Sequence, residues 1–486
     1  MGSFIAVLRK DGGDAAKEAL KMLSMTAHGR FDSFGLASYR EQVASRDLNA
    51  LKGDAPSSST LLGYKFLRVS RTDLQQPIVN DGFALVLEGR LYSAAPDIDL
   101  TLKTLKVNLK SGLWRLIDRY RGAFSFAVAQ ENLLYVGRDP VGLKPLYYGE
   151  SGNVCAVASE RKAFIPLGIK DVRSFPPGNL AQVDGEGFKF KPVRAISKPE
   201  VSQLNRREIL EKLEGLLFKS VERRLSDVKR VALAFSGGLD STVIARICDL
   251  LGADVKLLTV GVEGLSDLRK AEEAAEHLGL PVELKLYNPN EVVERLPEVV
   301  WITESPNPIN NAIAIPFLWV AESAAKSGRR VLFFGQGSDE LFGGYHRYLE
   351  TLRRFGPKLL AENLFKDVRD AYLKNLERDV KVCLHAGVEA RFPYMDYDLA
   401  EFALSIPLDL KVSLADGGSR KLILRRLALR LNIPESIAKA RKRAVQYSTG
   451  VDKVLRKVAK EKGVNLRSLF SDLYLKAFEE YSNLKT

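Results

Sequence analysis

The residues best suited to chemistry in this chain form the hexapeptide Ser236-Gly237-Gly238-Leu239-Asp240-Ser241. It lies between an apolar run that reads as a buried strand, Arg230-Val-Ala-Leu-Ala-Phe235, and a helical pattern from Thr242 to Leu251. Small residues at a strand-to-helix turn leave backbone N–H groups, and the positive end of the helix, open to an anion. Ser236 and Ser241 add hydroxyl donors. Asp240 carries the wrong charge for a polyphosphate unless a divalent cation stands between them, so the loop implies magnesium. The chain has no Gly-x-x-x-x-Gly-Lys-Ser/Thr, which separates this loop from Walker-type kinases and ATPases.

A second acidic loop, Gly335-Gln336-Gly337-Ser338-Asp339-Glu340, follows an apolar run ending at Phe334. In an open α/β sheet, ligands gather where the carboxyl ends of strands face a crevice, so this loop can lie beside the first. Asp339 could then share the cation with Asp240. Taken alone, a glycine-rich loop with an acidic pair is more often a solvated turn; the two loops together are the specific signal.

The elements that must position these loops are legible in outline. At 486 residues the chain exceeds what one core usually supports, and two domains are expected, 1–192 and 205–486. The first half shows short alternating runs such as 82–88, 122–129 and 133–137 between turn residues, with a helix at 14–25, the pattern of a sheet-rich domain. A hydrophilic stretch at 195–204 reads as the linker. After Asn205 the rhythm becomes helix (206–224), strand (230–235), helix (242–251), strand (255–261), helix (268–278), strand (282–286) and strand (330–334), with mainly helical sequence from Tyr345 onward. Such alternation predicts a doubly wound parallel sheet.

Hydrophobic residues are 46% and charged residues 27% of the chain, the balance of a folded globular protein rather than a fibrous or disordered one. No apolar run reaches the roughly 18 residues needed to span a bilayer, and the apolar N-terminal stretch is too short for a secretory signal; no membrane role and a cytoplasmic location are expected. Cys155, Cys248 and Cys383 are too scattered for a disulfide framework or zinc cluster. His28, His277, His346 and His385 show no metal-ligand spacing. The net charge of +13 is spread along the chain without a nucleic-acid motif, so a solvated basic surface is expected and nucleic acid is not the expected partner.

The intact Ser-Gly-Gly-x-Asp-Ser loop resembles that of the PP-loop ATP pyrophosphatases, which split ATP between its α and β phosphates. Its combination with Gly337-Ser-Asp-Glu-Leu-Phe-Gly-Gly-Tyr345 and Gly387-Val-Glu-Ala-Arg-Phe-Pro-Tyr-Met-Asp396 resembles the synthetase domain of class B asparagine synthetases. The resemblance implies ATP and magnesium, with Asp240 and Asp339 on the metal and Ser236, Gly237, Gly238 and Ser241 on the phosphates. Phe235 and Val260 would flank the adenine, and Gly335 would touch the nucleotide. Lys421 matches the lysine that supports the adenylate, and Arg441-Lys-Arg-Ala-Val-Gln-Tyr-Ser-Thr-Gly450 matches a late basic loop. On physical grounds, Lys421 and its neighbouring arginines suit the charge developing on a departing pyrophosphate.

The resemblance extends to the first half, where Gly137-Arg-Asp-Pro-Val-Gly-Leu-Lys-Pro-Leu-Tyr147, Ala158-Ser-Glu160 and Phe175-Pro-Pro-Gly178 look like the class II glutamine amidotransferase domain. It implies an N-terminal-nucleophile αββα sandwich ahead of the PP-loop sheet. In that family a cysteine after Met1 attacks glutamine, with its own amine as base; here the position is Gly2. Glu88-Gly89-Arg90 stands in place of Asn-Gly-Glu, and Arg68 remains. The first domain is therefore expected to be inactive on glutamine.

The second half departs from the family too. Gln336 replaces a glutamate near the reacting centre, and an amide cannot serve as a general base. The stretch 304–312 does not reproduce the Thr-Thr-Ile-Arg that recognises aspartate in bacterial members.

The resemblance implies an AMP-forming ligase, with asparagine made from aspartate and ammonia as the leading expectation. It allows a homodimer and a separate source of ammonia. A PP-loop ligase acting on another carboxylate, similar to the β-lactam synthetases, is the alternative within enzymes. A catalytically silent basic protein that binds RNA or acts as a scaffold is the alternative outside them.

Overall fold

The computed structural model describes residues 1–483 except 94, 267, 416–417 and 441–444. Arg441 to Ala444, the basic start of the expected late loop, thus lie outside the described residues. The chain forms two compact units, Met1–Ala195 and Ile196–Glu480, divided inside the hydrophilic stretch. No helix among the described residues is long and apolar enough to cross a membrane.

The first unit is built on two antiparallel sheets, of seven and six strands. Strand Gly2–Arg9 shows why they stack. Its side chains alternate, so Phe4, Ala6 and Leu8 enter the core between the sheets with Tyr64, Val86, Ala127 and Val136. Ile5 and Val7 point the other way, onto Ala19, Met22 and Leu23 of helix Ala16–Met25. On the opposite outer face, Leu85, Leu87, Phe126 and Val128 pack against Ile98 and Leu105 of helix Asp97–Val107 and Leu113, Leu116 and Ile117 of helix Leu109–Arg119. Both sheets are apolar on both faces, and the layers run α-β-β-α.

The second unit centres on a parallel sheet whose strands are β1 (Arg230–Ala234), β2 (Asp254–Val262), β3 (Val282–Tyr287), β4 (Val331–Phe333) and β5 (Glu389–Arg391), in the order β3-β2-β1-β4-β5. All its pairings are parallel. The order reverses about β1, so a crevice opens at the carboxyl ends of β1 and β4. Helix α1 (Leu239–Leu250) follows β1, α2 (Pro308–Lys326) precedes β4, and the one-turn α3 (Ser338–Phe342) follows it. Helix α4 (Glu377–Ala386) leads into β5. A two-stranded ribbon, β6 (Val412–Ser413) with β7 (Ser419–Arg420), precedes helix α5 (Leu422–Arg430).

Two details differ from the sequence reading. Strand β5 is a fifth member of the sheet that three residues of apolar-charged alternation do not announce. Helix α1 begins three residues earlier than its apolar pattern, because Gly238 takes an extended conformation and serves as the N-cap. Asp240 and Ser241 therefore sit in the first helical turn, at the positive end of the peptide dipoles.

Candidate active site

The turn after β1 is held by its own hydroxyls. Ser236 N donates to Ser241 Oγ at 3.3 Å, Gly238 N to Ser236 Oγ at 3.3 Å, and Ser241 Oγ to the Gly238 carbonyl at 3.3 Å. Gly237 has φ +65°, and a Cβ there would lie 2.3 Å from the Lys270 carbonyl oxygen, so only glycine fits the bend. Phe235 and Val260 are buried just past the paired ends of β1 and β2, and Phe235 N donates to the Leu258 carbonyl at 2.9 Å.

The loop after β4 is pressed against this turn. A Cβ on Gly335 would sit 3.1 Å from Asp240 Cβ. Asp240 also receives a hydrogen bond on its carbonyl from the hydroxyl of Tyr394, at 3.2 Å, from the segment following β5. Two strands and two loops thus converge on one carboxylate.

Lys421 completes the arrangement. Its residue adopts φ +57° between ribbon and α5, which swings the side chain into the crevice. The ammonium lies 2.7 Å from both oxygens of Asp240, 2.6 Å from Asp339 Oδ1 and 2.8 Å from Ser338 Oγ. Burial lowers the Lys421 pKa, against the opposing pull of Asp240. Gly344 makes room for the contact: a Cβ there would fall 1.9 Å from Asp339 Oδ1 and 2.1 Å from Lys421 Cε.

The sequence reading set a cation between Asp240 and Asp339; the structure brings these two together around an ammonium. Two carboxylates against one lysine leave a net negative charge with hard oxygen donors. That suits magnesium, which takes one or two carboxylates and completes its shell with phosphate and water. Asp240 and Asp339 are the residues that would hold it. Among the described residues no group of three or more His, Cys, Asp or Glu could form an all-protein metal cage.

The arginines beside Lys421 have other work. Arg420 donates to the Gly344 carbonyl, and Arg425 to the carbonyls of Arg420, at 2.7 Å, and Ala438, at 2.6 Å. They fasten loops around the lysine.

Three features escaped the sequence reading. Glu340 is buried, accepts from Tyr345 Oη at 2.6 Å and from Asn375 Nδ2 at 2.8 Å, and has its pKa raised by burial. Gln336 donates to Asp379 on α4 at 3.0 Å. Lys411 is buried, which pushes its pKa down to about 7, and stands one residue before β6, across the ribbon from Lys421. Glu340 and Lys411 were within reach of motif reading. Asp379 was not, since nothing local marks a helical aspartate as the neighbour of residue 336.

In the first unit, Gly2 lies in a buried strand where a Cβ would be 1.8 Å from the Lys65 carbonyl oxygen. Arg90 pairs with Asp73, at 3.0 Å through Nη2, and the cavity lined by Asp73, Gln76, Gly89 and Arg90 measures about 20 Å³. That volume accommodates one water and no glutamine side chain. Glu88 is buried and accepts from Ser159 Oγ at 2.7 Å.

An α-β-β-α sandwich followed by a parallel sheet with a serine-glycine phosphate turn defines a nucleotide-dependent enzyme of the amidotransferase-ligase type. The asparagine synthase family model matches residues 212–371 and 356–482, and a glutamine amidotransferase domain model matches 85–166. With more than half of its length matched, the chain belongs to the asparagine synthase family and is an ATP-dependent, amide-forming ligase. It is 28% identical, over 96% of its length and 97% of the other, to a Methanocaldococcus jannaschii protein named "putative asparagine synthetase (glutamine-hydrolyzing) 1". An asparagine synthetase domain-containing protein of Saccharomyces cerevisiae is 27% identical over 81% of this chain and 85% of its own. The glutamine-hydrolyzing asparagine synthetase B of Escherichia coli is 28% identical over 69% and 62%.

Proposed function

We propose that the chain converts aspartate to asparagine through a β-aspartyl-AMP intermediate, releasing AMP and pyrophosphate, with free ammonia as the nitrogen donor. The observation that carries this reading is the Asp240–Lys421–Asp339 cluster at the mouth of the Ser236–Ser241 turn. Phe235 and Val260 flank the adenine, Gly335 touches the nucleotide, and Ser236, Gly237, Gly238 and Ser241 hold the phosphates. Magnesium on Asp240 and Asp339 supplies charge neutralisation at the phosphates.

An oxygen of the aspartate side-chain carboxylate attacks the α-phosphorus, and the α–β bridging bond breaks toward pyrophosphate. Lys421 offsets the charge that accumulates on the departing group, and its burial strengthens that interaction. Ammonia then attacks the acyl carbon, loses a proton and displaces AMP. Ammonia rather than glutamine is favoured by Gly2, whose surroundings leave no room for a side chain, and by the small cavity beside Arg90.

A second reading, ligation of another carboxylate, is favoured by the stretch at 309–312. There Asn311 turns inward to accept from Thr303 Oγ1 at 2.7 Å, while Ile309 is exposed. Pyrophosphate and AMP release from Mg-ATP with aspartate, compared between ammonia, glutamine and no donor, decides between them. Turnover with ammonia alone supports the first reading; release with other carboxylates but never aspartate replaces it by the second.

A further inference from the structure

Beside the nucleotide loops lies a polar cluster that the phosphate chemistry leaves unexplained. Asp379 Oδ2 accepts from Gln336 Nε2 at 3.0 Å, and Asp379 Oδ1 accepts from Arg378 Nε at 2.7 Å. Arg378 Nη1 reaches Asn310 Oδ1 at 3.5 Å, and its guanidinium carbon stands 5.7 Å from the centre of the Phe317 ring. Arg378 is 3% exposed, yet its Nη2 is a buried donor without a hydrogen-bond partner among the described residues. Native structures leave few such donors unpaired, and those near a site mark where a group from outside belongs.

The cluster adjoins the reaction site by covalent connection: Gln336 follows Gly335, which is packed against Asp240. Asn310 and Gln336, both partly exposed, form its rim. Asp379 is fully buried and uses one lone pair on each oxygen for Gln336 and Arg378, so each retains acceptor capacity. A guanidinium with a donor to spare beside a carboxylate with acceptors to spare is complementary to a zwitterion.

We infer that Arg378 and Asp379 bind the α-carboxylate and α-ammonium of an amino-acid substrate, which presents its side-chain carboxylate to ATP. The inference rests on the adenylylating reading above and narrows its substrate to an α-amino acid with a second carboxylate. It also accounts for the departure at 309–312: Asn310 braces the recognition arginine from helix α2, in a stretch that carries no arginine of its own. The competing account, a purely structural ion pair tying α4 to the loop after β4, forecasts equal losses for every substrate.

The test measures pyrophosphate release from Mg-ATP by the full chain with aspartate, succinate, which lacks the ammonium, and β-alanine, which lacks the α-carboxylate. The wild-type protein is expected to prefer aspartate over each by about 10- to 100-fold in kcat/KM, the weight of one charged hydrogen bond. Asp379→Asn should reduce the preference over succinate about tenfold or more, and Arg378→Gln the preference over β-alanine, with KM for ATP within about twofold of wild type. Arg378→Lys should restore part of the β-alanine discrimination. Unchanged preferences in both variants, or a wild-type protein that uses succinate as well as aspartate, overturn the inference; the wild-type comparison holds even if a variant fails to fold.

Activity with a different dicarboxylic amino acid, and none with aspartate, would remove aspartate from the proposed function while supporting this inference. If no carboxylate releases pyrophosphate, the adenylylating reading falls by itself. Calorimetric titration of aspartate and succinate into the wild-type protein then decides the inference, at least tenfold tighter aspartate binding supporting it and equal or absent binding overturning it.

Discussion

The ammonium of Lys421 contacts both carboxylate oxygens of Asp240 at 2.7 Å, across 181 residues of sequence and from a backbone conformation that non-glycine residues seldom adopt. A left-handed lysine persists only where the surroundings fix it, and here Asp240, Asp339 and Ser338 all hold its ammonium. The relationship joins the phosphate turn, the second acidic loop and the ribbon into one electrostatic unit.

Lys421→Met should therefore abolish more than a surface charge. Removing one preorganised charge from a transition state typically costs on the order of 10² to 10³ in rate, and it leaves Asp240 and Asp339 facing each other uncompensated. The expected outcome is at least about a hundredfold fall in pyrophosphate release at saturating ATP and substrate. Rates within about threefold of wild type would remove Lys421 from the proposed machinery.

Gly344 offers a substitution that never touches a charged residue. An added methyl would overlap Asp339 Oδ1 and Lys421 Cε, both short of 2.2 Å from its position, and must push the pair apart. Gly344→Ala is expected to lower ligase activity by at least about tenfold while the melting temperature falls by only a few degrees, the usual size of a local overpacking strain of about 1–3 kcal/mol. The activity ratio and a calorimetric melt are the measurements. Equal activity would mean that the ion cluster tolerates displacement.

The contrast between Asp240 and Asp379 shows what the sequence could and could not disclose. Asp240 stands in a strand-turn-helix signature whose glycines and serines have one chemical use, so its place beside an anion was readable from six residues. The second acidic loop was readable for the same reason, and the sheet between them followed from the alternation of elements. Asp379 meets Gln336 only because α4 is carried back across the sheet edge before β5, a tertiary path that no local pattern encodes. Strand β5 itself, Glu389–Arg391, is too short for its period to register. The ammonium between two aspartates was hidden for another reason. Spacing shows which charges exist and leaves open which opposite charge the fold will bring between them.

Gly2→Cys tests the first unit. Placing the family nucleophile at this position should not confer glutamine hydrolysis. The new Cβ would fall 1.8 Å from the Lys65 carbonyl oxygen and 2.8 Å from Tyr64 Cε1, and Arg90 and Asp73 occupy the neighbouring space. The expected result is no glutamate release above background and a melting transition lowered by several degrees, in line with about 1–3 kcal/mol of overpacking. Glutamate release that depends on the new thiol would reopen the domain as a glutaminase.

Glu88 gives the first unit a pH dependence of defined sign. Burial pushes its pKa up to about 7, against the opposing influence of Lys144 and the hydrogen bond from Ser159. Below the unfolded pKa, ordinarily near 4.3, both states carry the proton and the residue has no effect. Between that value and about 7 the folded state keeps a proton that the unfolded chain has lost, so stability falls as pH rises, by about 3 kcal/mol once both states are ionised. Glu88→Gln removes the titration while keeping an oxygen for the Ser159 hydroxyl. The melting temperature of the variant relative to wild type should rise by about 5–10 °C between pH 5 and pH 8, read by calorimetry on the transition of this unit. A difference that stays constant across that range would show that Glu88 ionises in the folded protein as readily as in water.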